Sequence, residues 1–253
     1  MIDFTQNRLR EKVVLIVGGS SGIGLAAARQ AAAQGASLAL LARNAERLAT
    51  AATAVRTAGT ASVSTHAVDA TDVTALEAAF AEVQRIHGAI DHVLLTAGGA
   101  TLAPLLDHRS IDEQVAPLEQ RIRTAIITVR ALAPGMRDGG SFVFVGGIST
   151  DRPVKGAWAT GVATAAAEQL ARTLALELAP IRANAISPGW IDTPMWDGVL
   201  GDEKSDVFAQ IVARTPIGRF ASAEETADAA LFLMQNGGIT GEVLHIDGGQ
   251  RLT

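Results

Sequence analysis

The chain has 253 residues, a formal net charge of −5 and no cysteine. Disulfides, thiolate metal sites and cysteine nucleophiles are therefore excluded. The acidic balance and the scattering of Lys and Arg argue against nucleic acid as a partner, because phosphate backbones need a basic surface. A hydrophobic content of 48% supplies one large core, and no run of about 20 apolar residues offers a membrane span. Residues 1–12 are polar and carry no apolar signal-peptide core, so a cytoplasmic protein without membrane attachment is expected.

In chain order, the run VVLIV predicts a strand over Val13–Val17, followed by a helix over about Gly22–Gln34. A second strand is expected over Ser37–Leu41 and a helix over Ala45–Ala58. Next come strands near Ser62–Ala67 and His92–Leu95, separated by a helix over Val73–His87. A long helix over Ile111–Ala133 precedes a strand at Ser141–Val145. A helix over Ala157–Ala179 leads to a strand at Arg182–Ile186. The last pair is a helix over Ala223–Gln235 and a strand at Val243–Ile246. Short strands alternating with long Ala-rich helices define a doubly wound α/β fold, a single domain with a seven-stranded parallel sheet. Buried parallel strands need no polar alternation, which suits VVLIV and LALLA. The stretch Gly189 to Thr215 is irregular and holds Trp190, Pro194, Met195 and Trp196. Its length and its place after a strand end suggest a substrate lid, the alternative being a surface loop with apolar packing.

The first strand runs straight into Gly18-Gly19-Ser20-Ser21-Gly22-Ile23-Gly24 and a helix. Glycine at 18, 22 and 24 permits a tight turn and close approach of a pyrophosphate to the backbone. The helix N-terminus behind it offers unpaired N–H groups and a favourable dipole. A glycine triplet alone is weak, and its placement between first strand and helix is what gives it meaning.

From this motif to the C-terminus the chain resembles the short-chain dehydrogenase/reductase superfamily. Asp69 and Ala70 follow the third strand, where relatives hold the adenine ring. Leu95-Thr96-Ala97-Gly98 stands where relatives show Asn-Asn-Ala-Gly, so only the final Ala-Gly is kept. Asn184 lies in RANAISPG, similar to RVNAVSPG. Pro188, Gly189, Ile191 and Thr193 match the segment that cups the nicotinamide carboxamide, and Asp247-Gly248-Gly249 matches the family tail. The resemblance implies a dinucleotide held by Gly18, Ser20, Ser21, Gly22, Ile23, Gly24, Arg43, Asp69, Ala70, Thr96, Ala97, Gly98, Pro188, Gly189, Ile191 and Thr193, together with a small-molecule substrate and a homotetramer. NAD users in the family place Asp where this chain has Ala42, and NADP users often carry Arg where Arg43 stands. An Asp would repel a 2′-phosphate, whereas Arg offers it a permanently charged fork, so the expected cofactor is NADP(H). Arg47 could join it or simply be solvated.

The same resemblance implies an Asn-Ser-Tyr-Lys group, and the chain contains no tyrosine. The matching stretches put Thr160 at the Tyr position, Thr164 at the Lys position, Gly147 at the Ser position and Arg121 at the Asn position. Ser149, two residues on, is expected to face elsewhere. Arg121 either fills the space left by the missing Lys and contacts the nicotinamide ribose, or points to solvent. It could replace the cation but not the proton relay. The remaining candidate acids are His108, in the loop after the fourth strand, and the loop carrying Asp151, Arg152 and Lys155. His66, His87, His92 and His245 have no metal-ligand spacing. An atypical NADP(H)-linked oxidoreductase leads the functional readings. Its rivals are a cofactor-binding protein without redox turnover and a lyase or isomerase that reuses the pocket.

Overall fold

A computed structural model describes residues 8–59 and 62–253. Most of the polar N-terminal stretch therefore lies outside the described residues. Seven strands, β1 (Val13–Val17), β2 (Ser37–Ala42), β3 (Val63–Ala67), β4 (His92–Leu95), β5 (Ser141–Val145), β6 (Arg182–Pro188) and β7 (Val243–Ile246), form one sheet. Its order is β3-β2-β1-β4-β5-β6-β7, and every neighbouring pair is parallel. Eight helices connect them among the described residues: α1 (Gly22–Ala33), α2 (Ala45–Ala58), α3 (Val73–His87), α4 (Ile111–Leu132), α5 (Trp158–Glu177), α6 (Met195–Leu200), α7 (Lys204–Val212) and α8 (Ala223–Gln235).

The period-2 geometry of a strand sorts the apolar runs onto two faces. Val14, Ile16, Leu38, Leu40 and Val143 pack against α1, α2 and α8. Val13, Leu15, Val17, Leu41, Phe142 and Phe144 pack against α3, α4 and α5. Both faces are covered, so central strands can be apolar at every position. Small residues at Ala27, Ala28, Ala31, Ala227 and Ala230, all fully buried, let α1 and α8 lie close to one another over the sheet.

Polar residues set the ends of these elements. Asp72 accepts from the Ala75 N–H at the start of α3. Ser110 with Glu113, and Ser222 with Glu225, form reciprocal capping boxes on α4 and α8, each satisfying N–H groups that a helix start leaves open. Arg182, only 7% exposed, donates to the carbonyls of Leu233, Met234 and Ile239 at 2.7, 2.6 and 3.1 Å. It thus ties the start of β6 to the end of α8.

His92 is buried in the sheet beside Ser141, its strand partner, with Nδ1 2.9 Å from the hydroxyl. Burial pushes its pKa down to about 4, against a partial upward pull from Asp91. The folded state therefore resists a proton that the unfolded chain accepts below its ordinary value of 6.5. Its contribution to stability is complete above pH 6.5 and is lost as pH falls toward 4. Denaturant titrations should lose roughly 1 kcal/mol per pH unit across that window from this residue alone. His92→Asn should flatten the slope, and an unchanged slope would assign the acid sensitivity to other groups.

The expected strands and six long helices are all present, with ends shifted by one or two residues. The irregular stretch after β6 differs from expectation. It contains α6 and α7, which the sequence does not announce because α6 has only 6 residues and neither helix has a side-chain cap.

Candidate functional site

The strand order reverses between β1 and β4, the place where crossovers leave the sheet on opposite faces and open a crevice at the strand C-termini. A cavity of about 610 Å³ lies there, reached by residues after β1, β2, β3, β4, β5 and β6. All the dinucleotide residues expected from the sequence line it except Asp69.

The glycine turn is shaped by close backbone approach. Gly18 has φ +100°, and a Cβ there would overlap the Thr96 hydroxyl. A Cβ on Gly24 would overlap the Gly18 carbonyl oxygen. The Thr96 hydroxyl donates toward the carbonyls of Val17 and Gly18, both at 3.1 Å, and pins the turn to the end of β4. Ser21, the N-cap of α1, makes no side-chain cap hydrogen bond, so the first N–H groups of α1 remain open to an anion.

At the end of β2, Arg43 and Arg47 both line the cavity and both are exposed. Asn44 between them caps α2 by accepting from the Arg47 N–H at 2.8 Å, which sets the two arginines on the same side of that helix start. Asp69 is turned away. Its carboxylate accepts from the Thr71 N–H and hydroxyl, both at 2.9 Å, and these bonds hold its pKa low, with a smaller pull from Arg43. Val68 and Ala70 line the cavity on either side of it.

Thr160, Thr164, Gly147 and Arg121 all line the cavity, and Thr164 packs against Gly147. Thr160 is committed to a structural clamp: its hydroxyl accepts from the Thr101 N–H at 2.8 Å and donates to the Thr101 carbonyl at 3.0 Å. Thr164, 3% exposed, lies 3.1 Å from the hydroxyls of both Ser149 and Thr150. Ser149 lines the cavity, which corrects the expectation that it faces elsewhere. The 3-10 turn at Ile148–Thr150 rotates it inward, a local geometry that sequence spacing does not reveal. Thr150 reaches on to the buried Glu168 carboxylate, which also accepts from Ser187 at 2.9 Å and from the Gly147 N–H at 3.3 Å.

Arg121 points inward rather than to bulk solvent. It lines the main cavity and also a small void between α4 and α5. Its guanidinium lies against Gly98, where an added Cβ would sit 3.0 Å from Nε. Burial pushes its pKa down to about 10. Part of its surface is accessible, and that part faces the cavity.

The other candidate acids stay outside. His108, Asp151, Arg152 and Lys155 do not line the cavity, and Asp151 is paired with His245 at 2.9 Å. Asn184 is fully buried and stitches the segment between α8 and β7 by donating to the Ile239 carbonyl and accepting from the Glu242 N–H. Asp247 accepts from the N–H groups of Gly249 and Arg251, which closes the C-terminal turn.

The segment after β6 forms the apolar wall. Trp190 and Trp196 stack with ring centres 4.1 Å apart, and Phe208 meets both edge-on. Lys204 ties Asp192 to Asp197 at 2.7 Å each. The Trp190 N–H donates to the Gln250 side chain at 2.9 Å, so the C-terminal tail holds the wall in position. Leu102, Pro117, Gln120 and Val154 complete this side. Sequence reasoning missed these four. Pro117 and Gln120 carried a signal, since they lie four and one residues before Arg121 on the same helix.

These features define a doubly wound dinucleotide-binding fold with a site at its topological switch point. The comparisons carry the assignment further. Residues 17–251 match the enoyl-(acyl carrier protein) reductase family. A short-chain dehydrogenase/reductase of Stachybotrys chlorohalonatus is 32% identical over 250 residues, covering 95% of this chain and 97% of its own. The 3-oxoacyl-[acyl-carrier-protein] reductase of Rattus norvegicus is 33% identical over 246 residues, covering 96% and 99%. Among solved structures, the MalC reductase/Diels-Alderase of Malbranchea aurantiaca superposes with a TM-score of 0.90 at 29% identity, covering 98% of this chain and 99% of that one. The chain belongs to the short-chain dehydrogenase/reductase superfamily, a family of oxidoreductases, and its relatives support a reductase-type function. Reductases of this family use nicotinamide cofactors. The open N-terminus of α1, the backbone cradle at Gly18 and Gly24 and the two cavity arginines fit such a group. No helix among the described residues is long and apolar enough to cross a membrane.

Proposed function

We propose that this protein is an NADP(H)-dependent reductase of a small-molecule acceptor, working without the tyrosine relay of its relatives. The observation that carries the cofactor assignment is the end of β2: Arg43 and Arg47 line the cavity and Ala42 supplies no carboxylate there. Two guanidinium groups favour a 2′-phosphate, and no acid is present to take the ribose hydroxyls of NAD. Gly18 to Gly24 and the start of α1 would receive the pyrophosphate. Ala70 would flank the adenine, and Thr96, Ala97 and Gly98 would flank the nicotinamide ribose. Pro188, Gly189, Ile191 and Thr193 would hold the carboxamide side. A bound nicotinamide supplies the hydride.

The chain's own residues then have to orient the acceptor and exclude water, and positioning alone carries much of the barrier in such a transfer. Among the described residues no Asp, Glu, His, Lys, Cys or Tyr lines the cavity, and the titratable groups there are Arg43, Arg47 and Arg121. No general acid of ordinary pKa therefore faces the reacting atoms. Arg121, beside Gly98, supplies a cation where relatives use Lys and serves the nicotinamide ribose, but it gives up no proton near neutrality. Acceptors that carry their own proton, such as iminium ions, suit this arrangement better than ketones.

Binding titrations test the cofactor assignment. NADPH should bind at least 10-fold more tightly than NADH, and Arg43→Asp should reverse the order by removing a charged partner and adding a repulsive one. Equal affinities in the native protein would overturn the NADP(H) reading. Consumption of NADPH with an imine panel, measured alongside, tests the reductase reading itself.

A further inference from the structure

Arg121 and the apolar wall point to one class of acceptor. Of the three cavity arginines, Arg43 follows β2 and Arg47 stands in the first turn of α2. Arg121 sits alone on α4. Among the described residues, no hydrogen bond or ion pair is formed by its guanidinium. Among the described residues no carboxylate lines the cavity to neutralise it, and burial already pushes its pKa down to about 10. A partly buried cation without a counter-charge is stabilised when something anionic joins it. The ribose hydroxyls assigned to it above are neutral. They use some of its five donors and leave the charge uncompensated.

The cavity that Arg121 enters has a substantial apolar lining, Leu102, Pro117, Val154, Trp190, Met195 and Trp196, with Gln120, Ser149, Thr160 and Thr164 as uncharged polar neighbours. Three of the apolar residues keep surface open that a ligand could cover: Leu102 and Val154 are 36% exposed and Met195 is 38% exposed. The two indoles stack on one another and are braced edge-on by Phe208; Trp196 is 9% exposed, so the partly exposed Trp190 is the indole left to meet a ligand. Rigid aromatic faces favour planar apolar partners.

We infer that the substrate is a planar apolar acceptor carrying a carboxylate, with the ring against the Trp190–Trp196 wall and the carboxylate paired to Arg121. This inference rests on the cofactor reading above, in which the nicotinamide ribose takes only some of the Arg121 donors and the apolar part of the cavity is left for substrate. Arg121 is a binding and specificity residue in this arrangement. Its fork can take both carboxylate oxygens at once, a geometry that a lysine cannot reproduce.

The test needs no turnover. With the protein saturated by NADP+, quenching of tryptophan fluorescence is titrated with 1-naphthoate and with 1-naphthamide, which share a ring and differ in charge. The naphthoate should bind at least 10-fold more tightly. Arg121→Gln should abolish that difference while keeping naphthamide binding, Arg121→Lys should keep part of it, and Trp190→Ala should weaken both ligands alike. Equal affinity of the two probes in the native protein, or binding of neither, overturns the inference. So does a charge preference that survives Arg121→Gln. Naphthoate binding that vanishes when NADP+ is added places the carboxylate in the cofactor's own positions and also overturns it. Failure of NADP+ itself to bind is read separately, from the cofactor titration, and would sink the cofactor reading first.

Discussion

The variant R121N/G147S/T160Y/T164K should reduce simple ketones at least about 10²-fold faster than the native protein, since a positioned general acid is worth about 10²–10⁴-fold. The four changes ask different things of the fold, and Lys at position 164 has to displace contacts with Ser149 and Thr150 at a site only 3% exposed. Gly147 is extended at φ 161°, so a side chain there is not strained. A Cβ at this position would sit 3.1 Å from the Thr164 Cγ2 methyl, and replacing that β-branched residue by Lys removes the methyl. Arg121→Asn clears space for the new ammonium. The fourth change has a cost, because Thr160 clamps both polar groups of the Thr101 backbone, and Tyr releases that loop. The check is NADPH consumption across pH, with cofactor binding measured in parallel. A variant that folds and binds NADPH yet stays as inert as the native protein would show that the four positions do not correspond to the family's catalytic group.

The largest effect on stability is expected at Arg182. Arg182→Met should lower stability by roughly 3–4 kcal/mol, because three charge-assisted hydrogen bonds disappear together and their carbonyl partners lie within the fold. For a chain of this size that is a fall of about 10 °C in melting temperature. The residue is 7% exposed, and its partners Leu233, Met234 and Ile239 end α8 and begin the approach to β7. Loss of the clamp should therefore loosen the β6–β7 edge first, visible as faster amide exchange in β7 than in β1. Arg182→Lys should recover only part of the loss, since an ammonium does not span three carbonyls set by a planar guanidinium. A melting temperature within 2 °C of the native value would show that water replaces these bonds at little cost.

Physically different information lies behind what was legible and what was not. The seven strands and six long helices were legible because each rests on local chemistry: β-branched and leucine runs for strands, and long alanine-rich stretches for helices. The glycine turn was legible because crowding at Gly18 and Gly24 admits no Cβ, and a sequence records that directly as glycine. The absence of tyrosine needed no structure at all.

Tertiary structure decided the questions that depend on direction. The sequence gives Arg121 a helix but not a face, so solvent and pocket remained open until α4 was packed beside α5 and Gly98. Ser149 turns into the cavity because a single 3-10 turn follows β5, a rotation that counting residues from Gly147 misses. His108, Asp151 and Lys155 were near the site along the chain and lie outside it in space, since a loop's path is set by what it packs against. The wall of Trp190, Trp196 and Phe208 brings together three aromatics from an irregular segment without periodicity, held in place by Gln250 some 60 residues later. Local propensity fixes which elements form. Which side chains share a cavity is fixed by long-range packing, and no pattern within a single element encodes it.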